Sequence, residues 1–150
     1  DLIDGPLART FTAMFSQSVA GLAVRLGLAL ERFEADHAVS LAERDLTIAA
    51  GGIAAGTVSA TTWRVHGIID GVRRITHEVN WIMDPTQAPF NGKPHWEIEI
   101  DGLPGVRLAM GLVDTAPEGV RTKPEQFAVA AMVLEAIPRV VAAAPGLLRL

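Results

Sequence analysis

Two alternating runs flank an Asp-Gly pair, "TTWRVHGII" before Asp70-Gly71 and "VRRITHEVNWIM" after it, and no other feature constrains the fold so tightly. On Trp63, Val65 and Gly67 the odd positions are the apolar or small ones, and on Ile75, Val79, Trp81 and Met83 they are odd again, the period of two of a half-buried strand. A two-residue Asp70-Gly71 turn would pair odd with even positions and set Trp63 opposite Glu78, which wastes the buried face. A three-residue loop, Asp70 to Val72, is therefore expected. It sets Trp63 against Val79 and Val65 against His77 on the core face, and Arg64 against Glu78 outside as an opposite-charge pair.

The same logic extends in both directions. In "HWEIEIDGLPGVRLAMGL", Trp96, Ile98 and Ile100 alternate with Glu97, Glu99 and Asp101, and a five-residue loop aligns Ile98 with Leu108 and Glu99 with Arg107. From Phe33, apolar-side positions Phe33, Ala35, His37, Val39 and Leu41 alternate with Glu34, Asp36 and Ser40, a further strand. Before it, Thr10 to Leu30 is small and apolar on nearly every face, which predicts a helix covered all round, with Gly27 marking its end. A closing helix is expected from Thr122 as N-cap, with Glu125 completing a capping box and Pro124 tolerated in the first turn. Pro138 should kink or end it. Residues 84–94, dense in Pro, Gly and Asn, read as a loop. The resulting fold class is α+β: an antiparallel sheet of four or more strands against an N-terminal and a C-terminal helix.

Bulk properties bound the partners. At 150 residues one domain is the default, and 49% hydrophobic residues with a mean hydropathy of +0.29 predict apolar surface that needs an oligomer or a neighbouring domain. A net charge of -4 offers no basic field for nucleic acid. The absence of cysteine excludes disulfides and thiolate metal sites and fits a cytoplasmic location. Arg25, Glu135 and Arg139 interrupt the apolar stretches before they reach the roughly 18 to 20 residues a membrane span requires. Because the chain begins at Asp1 without a methionine or leader, a fragment or processed product is expected.

Three glycines in "LTIAAGGIAAGTVSA", Leu46 to Ala60, suggest a phosphate-cradling loop. A dinucleotide site needs Gly-x-Gly-x-x-Gly between a strand and a helix, whereas Gly51, Gly52 and Gly56 do not keep that spacing and a β-branched strand follows. A bulge or tight turn is the favoured reading.

Three motifs together point to a family. Ile53 to Val58 is an Ile-x-x-Gly-Thr-Val step leading into a Trp-bearing strand, Gly67 to Gly71 is a "GIIDG" hairpin, and Ala131 to Pro138 ends in Ala-Ile-Pro before an alanine run and Pro145-Gly146. In order and spacing they resemble the C-terminal domain of the actinobacterial dihydrodipicolinate reductase-like family, which includes NAD(P)-dependent amine dehydrogenases and is related to diaminopentanoate dehydrogenase. The resemblance covers most of the chain from about Phe11. It implies a substrate-binding and oligomerisation domain, a dimer or tetramer, and an NADP or NAD cofactor bound mainly by a Rossmann domain absent from this chain. It implies further that hydride passes between nicotinamide and a small amine or carbonyl compound, and that the isolated chain is inactive. The alternative is a non-catalytic small-ligand or assembly module on the same fold.

Carry-over of site residues is thin. The double-histidine segment and lysine of dihydrodipicolinate reductase are missing, so the catalytic residues stay unknown; the helix start "ARTFTAMFSQS" keeps Thr10 and Thr12 but lacks the family's Ser-Gly. Free amides and a positive helix end there could hold an anion or a polar group. Phe15, Ser16 and Gln17 are candidate pocket residues, since polar side chains in an apolar helix want a reason. His77 is a further candidate, against its plainer reading as a hydrogen-bonded core histidine, the reading that also fits His37. No third ligand is spaced to complete a metal site with them. Trp63 and Trp81 read as core or subunit interface before pocket, and Glu97, Glu99 and Asp101 as a solvated strand face.

Overall fold

One long strand organises the first part of the molecule. In the computed structural model β4 (Val58–Ile69) runs between β1 (Arg32–Leu41) and β5 (Val72–Ile82) in a three-stranded antiparallel sheet of order β1-β4-β5. The residues described are 2–48 and 50–146, and they fall into two compact units, Asp1–Gly92 and Lys93–Leu150.

In the first unit the pairing of β4 with β5 has the expected register, Trp63 opposite Val79, Val65 opposite His77 and Arg64 opposite Glu78. The route to it differs. The turn holds two residues, Asp70 and Gly71, both with positive φ (51° and 71°), and Ile69 pairs with Val72. An irregularity between Gly67 and Ile68, where Gly67 pairs with Ile75 and Ile68 with Arg73, then takes up the odd residue Arg74. A tight primed turn suits the twist of the strands, and a bulge restores the apolar face one step later.

Helix α1 (Pro6–Leu26) starts with proline in its first turn and ends at Gly27, where Leu28 N–H donates to Ala23 C=O at 2.9 Å. Ala8, Phe15, Val19 and Ala23 form one buried stripe on it, packed against Trp63, Val65 and Ile69 of β4 and Ile75 of β5. The helix is not covered all round: Leu7, Met14, Leu22, Val24 and Leu26 are exposed, because within this unit a single sheet face supplies the cover. On the sheet's other face Arg64 bridges Asp36 (3.1 Å) and Glu78 (2.5 Å), and His66, 5% exposed, joins Asp36 Oδ2 (2.7 Å) to Thr76 Oγ1 (2.9 Å). The His66 hydrogen bond, with that of Arg64 beside it, holds the Asp36 carboxyl below its ordinary range.

The glycine stretch is a small hairpin, β2 (Leu46–Ile48) with β3 (Gly51–Ile53), followed by a turn at Gly56. The 84–94 loop is anchored by Gln87, whose side chain accepts from Ser59 Oγ (2.9 Å) and donates to Leu41 C=O (2.6 Å).

The second unit contains the hairpin β6 (Trp96–Ile100) and β7 (Val106–Met110), in the expected register of Ile98 with Leu108 and Glu99 with Arg107, and α2 (Pro124–Ala142). The α+β class stands, but the strands expected in one sheet divide between two: among the described residues β1, β4 and β5 form one sheet, and β6 and β7 pair with each other in another. Helix α2 starts one residue later than expected: Lys123, not Thr122, occupies the cap position, and Gln126 Oε1 accepts from Lys123 N–H at 2.8 Å in place of a Glu125 contact. The helix also continues through Pro138 to Ala142. No described α2 residue is buried, so a carbonyl left unpaired by the proline is not cut off from solvent. No described helix is long and apolar enough to cross a membrane.

Candidate functional site

The first two turns of α1 and the middle of β1 border a shallow depression of about 340 Å³, lined by Ile3, Asp4, Ala8, Arg9, Thr12, Ala13 and His37. Helical spacing brings Ala8, Arg9, Thr12 and Ala13 to one flank of α1. The strand register places His37 opposite Trp63, on the helix side of the sheet.

Thr12 and His37 meet there. Thr12 Oγ1 lies 2.8 Å from His37 Nε2, and the hydroxyl can donate or accept according to the ring tautomer. His37 Nδ1 is buried and has no hydrogen-bond partner among the described residues. The ring packs on Trp63, centroids 4.9 Å apart, which fixes its orientation. Asp4 and Arg9 add one charge of each sign to the rim, and Gly5, at the helix cap, places no side chain over the first amides of α1. Chemically, this is a place where a small polar molecule can meet a hydroxyl–imidazole pair able to exchange a proton.

The sequence candidates separate. Thr12 lines the depression. Ser16 follows one turn later on the same flank, with its Oγ donating to Thr12 C=O at 2.6 Å, and Gln17 follows Ala13 but is exposed. Thr10 is exposed and donates to Pro6 C=O at 3.0 Å. Phe15 belongs to the core, stacked on Phe11 at 5.9 Å and edge-on to His77 at 5.5 Å. His77 sits across β4 from His37, and its Nδ1 is likewise buried without a hydrogen-bond partner among the described residues. Trp63 is 1% exposed and is core, whereas Trp81 is 41% exposed, with Phe11 against it at 4.5 Å. Among the described residues no three His, Asp or Glu side chains gather as metal ligands.

Sequence reasoning placed His37 on the apolar face but did not pair it with Thr12, and it did not weigh Asp4 or Arg9. The available signal was the i, i+3, i+4 spacing of polar and small residues at the start of α1, which marks a flank running from buried Ala8 through half-buried Thr12 to exposed Arg9 and Ala13.

No family model and no curated protein matches the chain. Among solved structures, an amine dehydrogenase from Mycobacterium smegmatis is similar in fold, with a TM-score of 0.61 and 21% identity. The likeness covers 96% of this chain and 45% of that one, so the chain spans under half the length of the protein it matches. The chain shares an amine dehydrogenase-like fold.

Proposed function

We propose that this chain is the substrate-binding part of an NAD(P)-dependent oxidoreductase acting on a small amine or carbonyl compound. The observation that carries this reading is the fold likeness, which extends over nearly the whole chain but takes up only part of an amine dehydrogenase. The cofactor, NADP or NAD, would supply hydride transfer. The chain's own residues do not fit it: Gly51 and Gly52 belong to β3, and Gly56 leads into β4, not into a helix with free amides. The cofactor would therefore be held mainly by a part of the enzyme outside these residues.

What this chain contributes is orientation and proton handling. Thr12 would hydrogen-bond the amine or carbonyl group and His37 would relay a proton through it, with Ser16 and Gln17 extending the flank, while Phe15 and His77 meet each other in the core outside the depression. In the oxidative direction the balanced change is amine plus oxidised cofactor and water to carbonyl compound, ammonium and reduced cofactor.

The test is proton NMR of the four histidine rings during titration with small primary amines and ketones. His37 is expected to shift saturably and Thr12→Val to abolish the response. Silence of His37 with every ligand class would count against the site.

A further inference from the structure

The chain holds two asparagines, Asn80 and Asn91, and only Asn91 is followed by glycine. The side-chain amide of an asparagine can be attacked by the backbone nitrogen of the next residue, which closes a five-membered ring. The step is fastest before glycine, because no Cβ obstructs the approach and the backbone turns freely. It also needs that nitrogen to be free of hydrogen bonds and the segment to be open to water. The two asparagines differ on each count.

Asn80 is held. Its Oδ1 accepts from Thr62 Oγ1 at 2.7 Å, its Nδ2 donates to Glu78 Oε1 at 2.8 Å, and the next residue, Trp81, is paired with Thr61 in the β4–β5 ladder. Asn91 is not. The main chain is anchored as far as Phe90, which is 6% exposed and donates its N–H to Gln87 C=O at 2.9 Å, and from Asn91 every residue through Ile100 is exposed. Among the described residues neither the Asn91 side chain nor the Gly92 N–H has a hydrogen-bond partner. Gly92 has a φ of 72°, and a Cβ built there would meet nothing within 4 Å, so the backbone has open space in which to swing. The three Asp-Gly pairs, Asp4-Gly5, Asp70-Gly71 and Asp101-Gly102, present carboxylates, which are poor electrophiles when ionised, and the Gly71 N–H is also taken by Glu31 Oε1 at 3.2 Å.

We propose that Asn91-Gly92 is a site of spontaneous covalent modification, a succinimide that opens to aspartate and isoaspartate. The Gly92 nitrogen bonds to Asn91 Cγ, the Cγ–Nδ2 bond breaks, and ammonia leaves with the proton from Gly92. Water then opens the ring. Attack at Cγ gives isoaspartate or aspartate according to which ring bond breaks: loss of the bond to Cγ restores the ordinary main chain with an aspartate, and loss of the bond at the Asn91 carbonyl carbon routes the chain through Cβ. Either product has a hydroxyl in place of the amide NH2, about one mass unit heavier, and its carboxylate beside Lys93 makes the net charge one unit more negative than -4. The position gives the change a consequence. Gly92 closes the first unit and Lys93 opens the second, so isoaspartate inserts an extra backbone atom into the segment that joins them. The proposal does not depend on the chemistry proposed above.

The test holds the chain at mildly alkaline pH and body temperature, folded and in urea, with samples taken over days and digested with trypsin beside an unincubated blank. One tryptic peptide, Ile75 to Arg107, carries both asparagines, because Pro94 blocks cleavage after Lys93. Electron-transfer fragmentation of that peptide localises the added mass and separates aspartate from isoaspartate. In the folded chain Asn91 should convert to both products at a rate near that in urea, while Asn80 stays unchanged. Asn91→Gln, which would have to close a six-membered ring, should remain unmodified, and its exposed position leaves the melting temperature as it was. Conversion of Asn91 slowed by folding on the order of tenfold or more would show a protected amide and overturn the proposal. Conversion of Asn80 ahead of Asn91 in the folded chain would overturn it as well.

Discussion

Gly67→Ala probes the closest approach of α1 to the sheet. Gly67 lies on the helix side of β4, opposite Ile75, and a Cβ built there would stand 2.7 Å from Val19 Cγ1 and 3.0 Å from Leu30 Cδ1. Leu30 can swing its terminal methyl away. Val19 cannot: it is fully buried, and a β-branched residue in a helix has essentially one χ1 well. Restoring carbon–carbon contact near 3.5 Å requires α1 to withdraw by roughly 0.8 Å, which forfeits a quarter to a half of the dispersion wells along the seam. Overpacking of this kind costs about 1–3 kcal/mol, and alanine's advantage over glycine inside a strand returns about 0.5–1 kcal/mol. The net expectation is a loss of about 1–2 kcal/mol. In urea unfolding this should lower the midpoint by about 0.5–1 M at constant slope. Val19→Ala opens the space the new methyl needs, so the double variant should lose less than the sum of the single losses by about 1 kcal/mol. A Gly67→Ala midpoint equal to or above that of the parent would refute the packing argument.

Trp63→Ala should cost about 3–5 kcal/mol by the same assay, because a side chain 1% exposed anchors Phe11, His37 and Trp81. Gly71→Ala should cost about 1 kcal/mol, since φ is 71° in the β4–β5 turn, and the loss should vanish if the turn relaxes to three residues. Asp36 has a folded pKa below its ordinary value of 3.8, so its contribution is present above that pH and is lost as pH falls through the lower, folded value. Melting temperature followed from pH 5 to 2 should therefore fall less steeply for Asp36→Asn than for the parent, and 1 M salt should shrink the difference because the carboxyl is half exposed.

The pairing of β4 with β5 was legible because two constraints agreed: the apolar face fixes parity, and Arg64 with Glu78 fixes sign. The turn was not, because a two-residue turn plus a bulge and a three-residue loop give the same register over Trp63 and Val65, and only backbone geometry separates them. At α2, Glu125 and Gln126 are both competent to reach back to a cap, and one residue of phase decides between them. The site was half legible. Alternation put His37 on the inner face, but its partner Thr12 lies 25 residues away, and no periodicity within one element records a contact between two.

The direct test of the functional reading is nicotinamide reduction by the gene product that carries this chain, followed at 340 nm with NADP or NAD and a panel of small primary amines, for the parent and for His37→Ala. Amine-dependent formation of reduced cofactor, with a marked loss of turnover in His37→Ala and unchanged cofactor binding, is the predicted result. Failure of every amine and carbonyl compound to turn over, in either direction and with either cofactor, would contradict it and leave the amine dehydrogenase likeness as one of fold alone.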